Sequence, residues 1–194
     1  MPVSSAEGVL FADDFSDPAS GWPEEEHEDR TTLYRDGQCL MATLAANRAA
    51  WVTASNESYA DLSVSANVLL ESMEGGGTAG LLFRIQDADN YYYFQISDLG
   101  DYKIGARVDG KWRSIAGGDW SYSKQLNAEG EWNRLEVVCV GPEISAYVNG
   151  ELLATLTDTA FAKGGVGVTA QSTGDSGEVV ALFDDFMVIS AGPR

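Results

Sequence analysis

The sequence is poor in basic residues. It has 12 lysines and arginines against 30 aspartates and glutamates in 194 residues, a formal net charge of −18 at pH 7. Binding to nucleic acid, or to an anionic membrane surface, requires clustered Lys and Arg side chains. We therefore expect neither partner. Such an acidic balance indicates solubility, or a salty or calcium-containing medium.

Long apolar runs are also missing, so we expect no membrane insertion. The first ten residues, MPVSSAEGVL, lack the charged segment and following apolar segment of a signal peptide. We interpret the chain as one domain over residues 1–194, with an ordered core at about 9–190. It could be excised from a longer protein.

Cysteine and histidine are scarce as well. Cys39 and Cys139 both lie in strand-like runs, and their spacing contains no zinc motif. Two buried free thiols are the favoured interpretation, and one long-range disulfide is the alternative. His27 lies in the charged run EEEHEDR, and no G-x-S-x-G motif is present, so we expect an exposed histidine rather than a catalytic one.

What the sequence does contain is alternation of apolar and polar residues. The stretch Gly80–Val108, GLLFRIQDADNYYYFQISDLGDYKIGARV, has three alternating runs separated by turn residues. Hairpin signals recur at Asp36-Gly37 and Asn149-Gly150. About a dozen such runs, with no long helical pattern, predict an all-β antiparallel sandwich or barrel.

The outward face of the three central strands has an unusual composition. Alternation places seven side chains on it: Arg84, Gln86, Tyr91, Tyr93, Gln95, Lys103 and Arg107. Flat rings suit the apolar faces of sugars, and long planar side chains reach their hydroxyls, so this face is a candidate saccharide groove. The alternative is that the tyrosines only form cross-strand pairs. The strand runs carry no acid on this face, which favours binding over cleavage.

Two tryptophans extend the candidate site. Trp112 and Trp120 lie in or beside loops, where an aromatic residue has less reason to be buried. We interpret them as sugar platforms, with packing beneath a loop as the alternative.

Four segments occur in an order that resembles a known superfamily. They are FADDFSDPASGW, GLLFRIQDADNYYYFQI, WNRLEVVCVGPEISAYVNGELLATLTD and FDDFMV. Residues 9–190 resemble the concanavalin A-like lectin/glucanase superfamily, and within it the laminin G-like and 3-keto-disaccharide hydrolase-type jelly-roll domains of bacteria. This resemblance implies an antiparallel two-sheet β-sandwich, a jelly roll, whose concave sheet carries the ligand site.

The resemblance also implies a function. Glucanases of this superfamily carry alternating Glu, Asp and Glu on one concave strand, because retaining cleavage needs two carboxyl groups about 5–5.5 Å apart. That pattern is missing here. We expect a non-catalytic carbohydrate-binding or adhesion module of a larger extracellular bacterial protein. The alternatives are a 3-keto-disaccharide hydrolase-type enzyme and a laminin G-like protein-interaction domain.

A structural calcium ion is a further expectation. Terminal strands of such sandwiches commonly run side by side, which would bring Asp13 and Asp14 close to Asp184 and Asp185. Calcium takes 6–8 oxygen ligands, and carboxylates with backbone carbonyls supply them. The alternative is that these acids cap strand ends and face water.

Overall fold

The computed structural model describes residues 8–73, 75–116, 119–173 and 177–192. The described residues form sixteen strands and no helix, so none of them makes a helix long and apolar enough to cross a membrane. In chain order the strands are β1 (Val9–Asp13), β2 (Glu25–Glu26), β3 (Arg30–Arg35), β4 (Gln38–Leu44), β5 (Ala49–Thr53), β6 (Leu62–Met73), β7 (Gly77–Asp87), β8 (Asn90–Ile96), β9 (Asp101–Val108), β10 (Lys111–Ser114), β11 (Ser121–Tyr122), β12 (Trp132–Val140), β13 (Glu143–Val148), β14 (Glu151–Thr157), β15 (Gly165–Ser172) and β16 (Glu178–Ser190).

The strands form two antiparallel sheets. The nine-stranded sheet has the order β14-β13-β12-β6-β16-β4-β3-β2, with β1 on β16. The seven-stranded sheet has the order β10-β9-β8-β7-β15-β5, with β11 on β9. The inward side chains of both sheets form one shared core, including Val64, Phe94 and Val168. The predicted two-sheet jelly-roll sandwich is confirmed.

The terminal strands are neighbours, as predicted. Strand β1 pairs antiparallel with β16, with Ala12 opposite Met187. Trp22 packs beside this pair, 5.0 Å between ring centroids from both Phe15 and Phe186. Its indole nitrogen donates to the Asp13 carboxylate at 2.9 Å. An aromatic cluster with a satisfied indole therefore fixes the terminal segments against the core.

The two hairpin turns predicted from sequence are present. Asp36-Gly37 joins β3 to β4 with φ of 54° and 77°, and Asn149-Gly150 joins β13 to β14 with 52° and 84°. Positive φ at both central residues is the type I′ geometry that matches the twist of the flanking strands. In the charged run at 24–30, Glu25–Glu26 form a short strand that pairs with β3.

Both cysteines are buried and free, which confirms the favoured interpretation. Burial raises the pKa of the Cys39 thiol to about 12 and that of Cys139 to about 11. Neither sulfur is a reactive thiolate at neutral pH.

Candidate functional site

The outer face of the seven-stranded sheet carries most of the predicted site residues. Strands β8 and β9 pair Tyr91 with Arg107, Tyr93 with Gly105, and Gln95 with Lys103. The intervening Phe94 and Ile104 are buried in the core. The alternation therefore assigned these five site residues to the correct side of the sheet.

Arg84 is the exception, and its prediction was wrong. Its side chain is 0% exposed, and its backbone has a φ of 49°. On β15, Gly165 pairs with Ile85 and Val166 with Phe83, which leaves Arg84 as the extra residue of a β-bulge. The bulge breaks the alternation and turns the side chain away from the outer face, so Arg84 is not available to a ligand.

The buried guanidinium of Arg84 ties three loops together. It donates to the backbone carbonyls of Ala60 at 3.0 Å, Gly141 at 2.7 Å and Phe161 at 3.1 Å. Its Nε has no hydrogen-bond partner among the described residues. Gln86, just beyond the bulge, donates its amide to the carbonyls of Arg84 and Lys163. Gln86 thus helps to hold this end of the sandwich, and it lines a separate surface cavity with Trp51.

Tyr93 and Gln95 lie deeper than the sequence indicated. Tyr93 is 6% exposed and Gln95 is 2% exposed. A Cβ atom at position 105 would overlap the Tyr93 hydroxyl, so the glycine makes room for the ring to lie over β9. Burial raises the pKa of Tyr93 to about 12. With so little of its surface open, Tyr93 does not present the ring face that the predicted stacking role requires.

Trp112 is the most exposed ring of a contiguous cluster. It is 50% exposed and makes edge contacts with Tyr91 and Tyr93, at 6.1 and 5.3 Å between centroids. The Arg107 guanidinium lies 5.3 Å from the Trp112 ring and 2.9 Å from the Asp89 carboxylate. These contacts orient the indole while leaving half of it open to solvent, as a sugar platform requires.

Trp120 and Lys103 form the other end of this cluster. The Lys103 ammonium lies 4.9 Å from the Trp120 ring and 5.6 Å from the Tyr93 ring. No carboxylate of the described residues is within ion-pairing distance of it. Burial lowers the pKa of Lys103 to about 8, although the Asp119 carboxylate acts in the opposite direction. Trp120 is 44% exposed and is the second open platform.

A cavity of about 540 Å³ extends across this side of the molecule. One wall is formed by Arg107 and Trp112 of β9 and β10. The opposite wall is contributed by the edge of the other sheet and by β5 and β15, and its lining residues are Asp29, Arg30, Asn47, Arg48, Ala49, Gln171, Ser172 and Thr173. Because residues from distant strands of one sheet line the same space, this sheet curves toward its outer face. We call this space the outer cleft.

Sequence reasoning missed one whole wall of the outer cleft. Arg48 and Asp29 are held together by an ion pair of 2.9 Å, and the Arg48 backbone amide donates to Ser172 Oγ at 3.0 Å. Trp51, 41% exposed on the outer face of β5, was also missed. The alternation of strand β5 could have indicated this, because Trp51 lies between Ala50 and Val52, which are small apolar residues that face the core.

The four aspartates near the termini do not form the expected cluster. Three of them accept hydrogen bonds from other side chains: Asp13 from Trp22, Asp14 from Ser16, and Asp185 from Asn67 at 2.8 Å. Among the described residues, no group of three or more His, Cys, Asp or Glu side chains is placed to hold a metal. Burial raises the pKa of Asp184, with the Asp185 and Asp14 charges adding to the effect. The convergence of four carboxylates is therefore not observed, and calcium binding stays a prediction.

His27 is a surface residue, as expected. Its Nε2 lies 3.3 Å from Glu25, and about half of each side chain is exposed. It is two residues from Asp29 in sequence, but it is not among the residues that line the cleft.

The two-sheet jelly roll is a concanavalin A-like fold. Residues 9–181 match the model of the 3-keto-alpha-glucoside-1,2-lyase-like domain, and the chain belongs to that family. No relative was found among curated protein sequences.

Solved structures with the same fold include proteins that act on or bind carbohydrates. The carbohydrate-binding module CBM66 from Bacillus subtilis has a TM-score of 0.63 at 18% identity, over 77% of this chain and 86% of that one. A Bacillus licheniformis β-glucanase has a TM-score of 0.68 at 12% identity, over 96% and 100%. A Bacillus subtilis protein of unknown function with a galectin-like fold has 0.70 at 12%, over 96% and 98%. At these identities the similarity shows the fold alone.

The outer cleft contains one carboxylate among the described residues that line it. Glycoside hydrolysis requires two carboxyl groups that flank the scissile bond. Asp29 is the only carboxylate among the described residues that line the cleft. Both of its oxygens are engaged, by Arg30 at 3.2 Å and Arg48 at 2.9 Å.

Proposed function

We propose that this domain is a non-catalytic carbohydrate-binding module that holds a saccharide in the outer cleft. The observation that carries the proposal is the half-exposed Trp112, oriented by Tyr91, Tyr93 and Arg107 at the wall of a 540 Å³ cleft. An aromatic ring offers its face to the C–H surface of a sugar. The amide and guanidinium groups of Gln171, Asn47 and Arg48 supply donors for hydroxyls.

The family and the fold support a saccharide ligand. The family takes its name from a lyase of 3-keto-alpha-glucosides, and the similar structures include a carbohydrate-binding module and a β-glucanase. We further propose that the domain is part of a larger bacterial protein that acts outside the cell. Detecting the native protein in the culture medium or at the cell surface would test this location.

The test is binding of the purified domain to a glycan array, followed by calorimetry on the strongest hit. Trp112→Ala should weaken that hit by about thirtyfold, because truncating a central aromatic anchor costs about 2 kcal/mol. Leu152→Ala is the matched control, since Leu152 is an equally exposed apolar residue of the nine-stranded sheet. Equal affinity of Trp112→Ala and the parent would refute the outer cleft as the site.

A second candidate function follows from family membership combined with Lys103. A lyase acting on a 3-keto-glucoside removes the C2 proton, which the adjacent ketone acidifies, and a general base must accept it. The electron pair of the C2–H bond forms a C1=C2 double bond as the C1–O bond breaks, and the leaving oxygen takes up a proton. An amine with a pKa of about 8 and no ion-paired carboxylate among the described residues suits that role. Incubation with a 3-keto-α-glucoside, followed by NMR, tests it. Turnover by the parent that is abolished in Lys103→Met would replace the non-catalytic proposal.

A further inference from the structure

Positive charge is concentrated in the outer cleft against the overall charge of the chain. Three of the chain's 12 basic residues, Arg30, Arg48 and Arg107, are among the ten residues that line it. The chain as a whole carries −18. The electrostatic field of this net negative charge repels anions at long range. An anionic ligand can therefore be attracted only by cationic side chains close to it.

The arginines retain donors that the protein does not use. One oxygen of Asp29 accepts a hydrogen bond from Arg30 Nη1, and the other forms an ion pair with Arg48 Nε, so one carboxylate balances two guanidinium groups. The Arg48 side chain is 56% exposed, and its two terminal nitrogens have no partner among the described residues. Those two N–H groups are the fork that pairs with a carboxylate through two parallel hydrogen bonds.

Lys103 adds an ammonium next to the cleft that forms no ion pair with a carboxylate of the described residues. It lies over Tyr93, and Tyr93 contacts Trp112, which lines the cleft. Its position between two rings keeps it partly desolvated, which strengthens its attraction for an anion relative to that of a fully hydrated lysine. Arg107 is paired with Asp89, so the cations left to attract an anion are Arg48, which shares Asp29 with Arg30, and Lys103.

We infer that the ligand of the outer cleft is an acidic saccharide whose carboxylate is bound by Arg48. This inference rests on the proposed function, because it names the sugar class of the same site. Neutral sugars would use the tryptophans and amides alone, and would leave the terminal nitrogens of Arg48 without a charged partner.

The experiment compares one oligosaccharide with and without its charge. The probes are tetragalacturonate and its fully methyl-esterified form, which have the same rings and linkages, with tetragalactose and a sulfated tetragalactose as further arms. Calorimetry should show at least about tenfold tighter binding of the uronate than of the ester, because charge-assisted bidentate pairs are about twice as strong as neutral hydrogen bonds. Raising sodium chloride from 50 to 500 mM should weaken only the anionic probes.

Variants assign the charge preference to residues. Arg48→Gln should remove most of the preference for the uronate over the ester, and Lys103→Gln should remove a smaller part of it. Arg35→Gln makes the same charge change on the nine-stranded sheet, where Arg35 pairs with Glu71 at 2.6 Å, and should leave the preference intact. Melting temperatures confirm that each variant is folded.

The outcomes separate this inference from the function on which it rests. Equal binding of uronate and ester, lost in Trp112→Ala, would overturn the acidic-saccharide inference and keep the carbohydrate-binding proposal. A preference for the sulfated probe over the uronate would overturn the assignment to a carboxylate. Absence of binding to every glycan on the array would overturn both.

Discussion

Replacing Arg84 by methionine removes a buried charge that the fold uses. The side chain is fully buried and makes three charge-assisted hydrogen bonds to backbone carbonyls, with no carboxylate partner among the described residues. Methionine is two atoms shorter than arginine, but it replaces the apolar stem and adapts to irregular core space. The change therefore removes the donors and leaves most of the volume filled.

The expected loss is about 3 kcal/mol of unfolding free energy. Each hydrogen bond from a charged donor contributes about 1.5–3 kcal/mol, so losing all three sets a gross loss of about 4.5–9 kcal/mol. The guanidinium no longer has to be desolvated, and that penalty of several kcal/mol per ion offsets part of the loss. The net figure is a large fraction of the roughly 5–15 kcal/mol typical of a domain.

Urea unfolding measures this directly. With a slope of about 2 kcal/mol/M, the midpoint should fall by about 1.5 M with an unchanged slope. Arg35→Met is the control, because the exposed Arg35–Glu71 pair should contribute less than about 1 kcal/mol. A midpoint of Arg84→Met within experimental error of the parent would refute a stabilising role for the buried guanidinium. The folded variant should bind the glycan hit normally, because Arg84 lies outside the outer cleft.

Arg84 also shows where sequence reasoning failed. Phe83-Arg84-Ile85 continues the alternation without a break, and arginine is seldom fully buried, so the sequence indicates an outward side chain. A single extra residue reverses that assignment, because the side-chain period of a strand is two residues. The bulge depends on pairing with β15, about 80 residues later in the chain, and no local signal announces it.

Local patterns were sufficient where only local geometry mattered. Turn dipeptides with positive φ and the alternation of β8 and β9 predicted the hairpins and the outward placement of Lys103 and Arg107. The second wall of the outer cleft is different in kind. Arg48 and Trp112 line the same cleft because β5 pairs with β15 and β15 pairs with β7. Pairing between strands so far apart in the chain cannot be derived from periodicity.

Two further predictions concern charge at other positions. Adding calcium to chelator-treated protein should raise the melting temperature if Asp13, Asp14, Asp184 and Asp185 share an ion, because a ligand that binds only the folded state stabilises it; an unchanged melting temperature at millimolar calcium contradicts that site. Asp158 should contribute to acid sensitivity. Burial alone would raise the pKa of its carboxyl, but hydrogen bonds from Arg113 at 2.7 and 3.0 Å and from Tyr92 at 2.5 Å outweigh burial and lower the pKa to about 2. Since the folded-state pKa lies below the ordinary value of 3.8, the contribution is complete above about pH 4 and is lost as the pH falls toward 2. It amounts to about 2 kcal/mol, so Asp158→Asn should lower stability at pH 7 by about that amount and lose less than the parent between pH 4 and 2. Parallel pH–stability curves for parent and variant in urea titrations would show that the Asp158 pair does not stabilise the fold.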